Sequence, residues 1–68
     1  MPVTKVIEVI GTSSVGSDDA VREALAAAKR SIRGISKIEV MSVSCEVADG
    51  EIATWQAWVK ILFPVEPK

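Results

Sequence analysis

The fold is decided by residues 36–63, which read SKIEVMSVSCEVADGEIATWQAWVKILF. Two runs rich in β-branched, aromatic and other apolar residues, Ser36–Val47 and Ile52–Phe63, predict two strands. Between them stands Asp49-Gly50, the type of residue pair preferred in a two-residue type I′ turn, where both positions need positive φ. The stretch therefore predicts a long β-hairpin that closes at Asp49 and Gly50.

A two-residue turn also predicts which residues of the two strands face each other, because the numbers of each facing pair then have the same sum as those of Asp49 and Gly50. Glu39 faces Lys60 in this register, and an opposite-charge pair favours it. One face is predicted to carry the pairs Ile38 with Ile61, Val40 with Val59, Ser42 with Ala57, and Ser44 with Trp55. The other face is predicted to carry Met41 with Trp58, Val43 with Gln56, and Cys45 with Thr54.

The residues before the hairpin predict one strand and one helix. Thr4–Ile10 is β-branched and apolar, which is typical of a strand. Gly11–Ser17 is small and polar and is interpreted as a connector, in which Ser17 is suited to cap a helix. A loop of this kind can also hold a phosphate, but this one lacks the Gly-Lys-Ser/Thr ending of a P-loop.

The alanine-rich run Asp18–Arg33 is predicted to be the helix, and Gly34 is predicted to end it. Its apolar stripe is predicted to contain Val21, Leu25, Ala28 and Ile32. Residues 1–68 are therefore predicted to form a single α+β domain of order β-α-β-β. The hairpin is longer than the helix, so the face with Met41, Val43, Cys45, Gln56 and Trp58 is left for another subunit or a ligand to cover.

Composition excludes several classes of function. The 68 residues are 49% hydrophobic and 25% charged with a net charge of −1, so neither nucleic acid nor a membrane is an expected partner. No histidine and a single cysteine leave no common zinc site or nucleophile pair, so we do not expect an enzyme. The lone Cys45 and an N-terminus without an apolar segment indicate the cytoplasm. A chain this short needs further stabilisation, and we expect it from a homo-oligomer.

Four features of the sequence are candidates for ligand binding or catalysis. Gln56 lies between two tryptophans, and its amide suits either the edge of a planar heterocycle or a polar subunit contact. The basic residues at the helix end and after it complement the helix dipole or neutralise a phosphate. Glu39 is interpreted as the partner of Lys60, and Cys45 as a small buried apolar residue. The basic residues are Lys29, Arg30, Arg33 and Lys37.

Several segments together resemble the dodecin family. They are Lys5-Val6-Ile7-Glu8-Val9-Ile10-Gly11-Thr12-Ser13, the alanine-rich helix, Ile38-Glu39-Val40, Asp49-Gly50, Trp55-Gln56-Ala57, Val59-Lys60 and Phe63. The resemblance implies a three-stranded antiparallel sheet curled around one helix, and a hollow shell of twelve copies. It also implies a flavoprotein that stores riboflavin, FMN or FAD in pairs between two-fold-related subunits and is not an enzyme.

The resemblance assigns four residues to the flavin site. The glutamine that contacts flavin in the family matches Gln56. The stacking tryptophan of the family falls on Lys37, and an ammonium on an aliphatic stem does not stack as an indole does. Two arginines that bind phosphate in bacterial members fall on Ser44 and Pro64. The resemblance therefore leaves open a flavin-free shell that binds coenzyme A or a cation such as calcium, or that has a structural role.

Overall fold

The computed structural model describes residues 3–65. Its elements are β1 (Val3–Ser13), α1 (Ser17–Lys29), β2 (Lys37–Ala48) and β3 (Glu51–Val65). β3 is the middle strand of an antiparallel sheet and pairs with β1 on one side and β2 on the other. The predicted β-α-β-β order and three-stranded sheet are confirmed.

The hairpin turn has the predicted geometry. Asp49 and Gly50 have φ angles of 51° and 78°, as both central positions of a type I′ turn require. β3 extends further than predicted and continues through Pro64, which pairs with Thr4 of β1. The pairing of β2 with β3 ends at Leu62, so only one strand borders Pro64, and a proline is tolerated there.

The predicted register holds at both ends of the hairpin and fails in the middle. Glu39 faces Lys60 and Ala48 faces Glu51 as expected, but the register shifts after Val40 and again after Glu46. Met41 and Ala53 are the unpaired residues of these two irregularities. The middle pairs are therefore Ser42 with Trp58, Val43 with Ala57, Ser44 with Gln56, Cys45 with Trp55, and Glu46 with Thr54, and the five middle pairs predicted above are wrong.

The first shift has a physical reason in the hydrophobic pattern. Facing residues lie on the same side of a sheet, so Val43 now shares a side with buried Ala57, whereas Ser42 shares a side with Trp58. Without the extra residue Met41, the two serines at 42 and 44 would lie on the helix side. The prediction that Val43 and Cys45 share a face with Gln56 and Trp58 is therefore wrong.

The connector and the helix are both shorter than predicted. Gly11–Ser13 belongs to β1, and the helix cap is Gly16, whereas Ser17 is the first helical residue and makes no capping hydrogen bond. Ser13 instead orders the turn before the helix, because its hydroxyl donates to Asp19 Oδ2 at 2.7 Å and accepts from the Val15 amide at 2.9 Å. The helix ends at Lys29, since the chain must return to the sheet, where the Ser36 amide donates to the Leu62 carbonyl. Gly34, with φ of 74°, lies in this return loop.

The core is a contact between alanines of the helix and the middle of the sheet. Ala20, Ala24 and Ala28 are buried, whereas the predicted stripe residues Val21 and Leu25 are only half-buried. The helix presents its smallest residues because it lies very close to β1. A Cβ atom at Gly11 would collide with the Ala20 carbonyl oxygen and lie 3.0 Å from the Ala24 Cβ. The sheet contributes Ala57, Val59 and Ile61 to this core.

The helix covers only part of the sheet. It packs against β1 and β3, and Ile38 is the single residue of β2 that is not exposed. The last pair of β1 with β3 is Ser13 with Trp55, so residues 46–54 project beyond both β1 and α1. We call residues 46–54 the hairpin arm. The chain is 54 Å long and 20 by 13 Å across, which confirms that the hairpin overhangs the helix.

Candidate functional site

The candidate site is the side of the sheet that faces away from the helix, which we call the outer face. Alternate residues of β3 lie on it, from Gln56 to Pro64, because their neighbours Ala57, Val59 and Ile61 face the helix. Ser44 faces Gln56, and Lys37 faces Leu62. All four residues assigned from the sequence, which are Lys37, Ser44, Gln56 and Pro64, therefore lie on this one face.

Gln56 occupies the middle of a row of three polar side chains. Thr12 of β1 lies on one side of it and Ser44 of β2 on the other. Gln56 is half-buried, and within residues 3–65 its amide makes no hydrogen bond. The row therefore presents a free donor and acceptor between two hydroxyl groups, which suits the edge of a planar ligand with mixed donors and acceptors.

Trp58 lies next to Gln56 on the same face. Its side chain is 43% exposed, and its indole N–H donates to Glu8 Oε1 at 2.8 Å. Glu8 belongs to β1 and faces Lys60. The hydrogen bond restrains the ring, so that an apolar surface stands beside the free amide of Gln56. Glu8 could not be recognised from the sequence as the partner of Trp58, because β1 and β3 are joined through a helix and no short turn indicates their register.

The four assigned residues form two separate groups within one chain. Ser44 and Gln56 face each other directly, whereas Lys37 faces Leu62, six residues further along β3. At ~3.3 Å per residue the two groups are roughly 20 Å apart. Pro64 lies with Lys37 at the second end. A single planar ring that contacts both Gln56 and a residue at position 37 must therefore take them from two copies of the chain.

The charges on the outer face lie mostly away from Gln56. Lys60 has Glu8 on one side and Glu39 on the other, as predicted for Glu39. The ion pair of Glu39 is nevertheless with Lys37, at 3.6 Å, and both side chains are exposed. The charged residue nearest to the Gln56 row is Glu46, which accepts a hydrogen bond from the Thr54 hydroxyl at 2.9 Å. The surroundings of Gln56 therefore favour a neutral ligand over a phosphorylated one.

Three further observations bear on function. Cys45 is exposed, which contradicts its interpretation as a buried residue: it lies at the base of the hairpin arm, where the helix no longer covers the sheet. Residues 3–65 contain no group of three or more His, Cys, Asp or Glu side chains that could hold a metal ion. In the same part of the chain, no helix has the length and apolar character needed to cross a membrane.

Comparison with known proteins gives one consistent family. The family model for dodecin matches residues 3–66. No curated protein matches the chain at a significant level. Among solved structures, dodecin from Streptomyces coelicolor is 37% identical with a TM-score of 0.92, and the match covers 98% of this chain and 96% of that one.

Two further solved structures widen the range of similar proteins. Dodecin from Streptomyces davaonensis is 30% identical with a TM-score of 0.90, and the match covers 97% of each chain. The calcium dodecin of Mycobacterium tuberculosis, described as a calcium-chelating immunodominant antigen with a novel calcium-binding site, is 31% identical with a TM-score of 0.81. That match covers 97% of this chain and 94% of that one.

Proposed function

The chain belongs to the dodecin family, and from this premise we propose that it is a self-associating, non-catalytic protein that binds and stores a flavin on its outer face. The observation that carries the proposal is the free, half-buried amide of Gln56 beside the restrained ring of Trp58. The edge of an isoalloxazine ring offers both donors and acceptors, and an amide side chain matches both. Its flat surface can lie on an apolar neighbour such as Trp58.

The residues of the outer face fit some parts of a flavin better than others. The row of Thr12, Gln56 and Ser44 fits the polar ring edge. Lys37 offers no aromatic surface for stacking, and its ammonium is held by Glu39. Ser44 and Pro64 carry no charge for a phosphate. The fit therefore supports riboflavin as the ligand in preference to FMN or FAD.

Self-association is supported by apolar surface that a single chain leaves exposed to solvent. Val40, Met41 and Val43 of β2 are 52%, 44% and 47% exposed. Exposed apolar side chains that adjoin one another on one strand are typical of an interface. Contact between copies would cover them. We propose a dodecamer, by the family resemblance, and a cytoplasmic location, where the exposed thiol of Cys45 stays reduced.

The proposal is tested by titrating riboflavin against the assembled protein and following the fluorescence of the flavin. Gln56→Ala removes the amide and is expected to lose two hydrogen bonds of about 0.5 to 1.5 kcal/mol each, so the affinity should fall roughly 5- to 150-fold. The control is Glu23→Ala, an exposed helix residue, which should bind as the unchanged protein does. Equal affinity of the Gln56 variant and the control would contradict a site at Gln56.

A second candidate function is a flavin-free shell that binds coenzyme A or a cation such as calcium. It is favoured by Lys37 at the position where stacking is expected, and by the calcium dodecin among the similar structures. Calorimetric titrations with Ca²⁺ and with coenzyme A distinguish the two candidates. Heat of binding from either ligand, together with no response to riboflavin, would replace the flavin proposal.

A further inference from the structure

The chain separates its charges into two blocks. Residues 29–37 contain four cationic side chains and no anionic one. Residues 38–59 contain four anionic side chains and no cationic one. Three of these anions, Glu46, Asp49 and Glu51, belong to the hairpin arm. The cations are Lys29, Arg30, Arg33 and Lys37.

The fold places the hairpin arm and the basic block at opposite ends of the molecule, and of the four anions only Glu39 lies at the basic end, where it pairs with Lys37. The basic block ends at Lys37, which faces Leu62, whereas the turn of the hairpin lies beside Glu51. These two positions on β3 are eleven residues apart, or roughly 36 Å at ~3.3 Å per residue. Salt screens exposed charges beyond about 10 Å, so the anions of the hairpin arm cannot neutralise the basic block within one chain.

The basic end contains a groove with an apolar floor. Its volume is about 410 Å³, and its floor is formed by Leu25, Ile32 and Ile35. Lys29 and Arg33 form its rim, and neither is in an ion pair within residues 3–65. The groove continues toward β2 as a second hollow of about 300 Å³ that shares Leu25 and Ile35 with the first. An occupant that matches this end must combine apolar side chains with negative charge.

The hairpin arm has this combination. Val47 and Ile52 face each other across the arm and are 65% and 52% exposed. Glu46 and Glu51, their neighbours in the chain, lie on the opposite side of the arm, and Asp49 lies at its turn. An isolated two-stranded hairpin is at best marginally stable in water, so an arm of nine residues without cover needs a partner surface.

We propose that the acidic hairpin arm of one copy docks in the basic groove of the next, with Val47 and Ile52 on the apolar floor. Asp49 at the turn and Glu51 on the outward side of the arm then lie within reach of the long side chains of Lys29 and Arg33 at the rim. This inference rests on the self-association proposed above and specifies the surfaces that meet. Because the two surfaces are different, the contact is head-to-tail, and repeating it builds a ring or a closed shell rather than a simple two-fold dimer.

Charge reversal tests the contact. Arg33→Glu or Glu51→Arg alone places like charges together, so each is expected to weaken assembly at least roughly tenfold. The double variant restores opposite charges and should assemble within about threefold of the unchanged protein. Arg30→Glu is the matched control, because Arg30 is exposed at the same helix end but does not line the groove. Sedimentation velocity over a dilution series measures the dissociation of each protein.

Three results would overturn the docking proposal. One is assembly of both single variants at the concentration that suffices for the unchanged protein. Another is a folded double variant that assembles no better than the single ones, with folding checked by circular dichroism. The third is an unchanged protein that stays monomeric, which would also remove the self-association proposed above. If the single variants assemble and still bind riboflavin, the docking proposal fails alone and the proposed function stands.

Discussion

At the scale of single residues, Gly11 shows how a position outside the candidate site determines the fold. It lies in β1 directly opposite the helix, at the point where the Ala20 carbonyl oxygen approaches most closely. The sequence suggested a flexible connector here, because glycine followed by small polar residues is typical of a loop. The structure instead uses Gly11 for close packing of a strand and a helix. Sequence patterns do not distinguish these two uses of glycine, because the second depends on a partner that is distant along the chain.

Replacing Gly11 by alanine should therefore destabilise the fold. The added methyl group can be accommodated only if backbone moves, and overpacking of this kind typically costs about 1 to 3 kcal/mol. Gly16→Ala is the matched control, since no atom lies within 4 Å of a Cβ there and its φ of 172° is extended backbone. Chemical denaturation of the two variants gives the free energies of unfolding. Equal free energies of unfolding for the two variants would contradict the close approach of the helix to Gly11.

At the scale of secondary-structure elements, the hairpin was the most predictable part and also shows the limit of prediction. The turn at Asp49 and Gly50 and the pairing at both ends follow from local rules on turn geometry. The unpaired residues Met41 and Ala53 follow from no local rule: Met41 adjusts the strands to a helix that covers only one side, whereas Ala53 lies in the arm beyond the helix. The serine assigned to the site, Ser44, faces Gln56 because the pairing between these two residues is offset by one position.

The turn itself gives a prediction at this scale. Gly50 has a φ of 78°, a conformation that costs a β-branched residue roughly 1 to 2 kcal/mol, so Gly50→Val should lower the free energy of unfolding by about that amount. Asp49→Asn is the control, because asparagine also tolerates the φ of 51° found at that position. Thermal unfolding followed by circular dichroism compares the two. A Gly50 variant as stable as the Asn variant would show that the turn does not limit stability.

At the scale of the whole molecule, the exposed apolar residues of β2 and the uncovered hairpin arm support the proposed assembly. The sequence predicts association from chain length and hairpin overhang, because both depend on simple dimensions. The surfaces proposed to meet were not predictable, because they depend on where the fold places the groove around Leu25 and Ile35 relative to the arm. The candidate site likewise depends on how the fold places distant residues, because Gln56 and Lys37 of one chain lie roughly 20 Å apart.

A crystal structure of the assembled protein grown with riboflavin is the most direct test of a flavin site on the outer face. We predict electron density for the isoalloxazine ring beside Trp58, with the Gln56 amide within hydrogen-bonding distance of the ring edge and a second copy of the chain completing the site. Flavin density on the helix side of the sheet, or an assembled shell with no flavin at saturating riboflavin, would contradict this account.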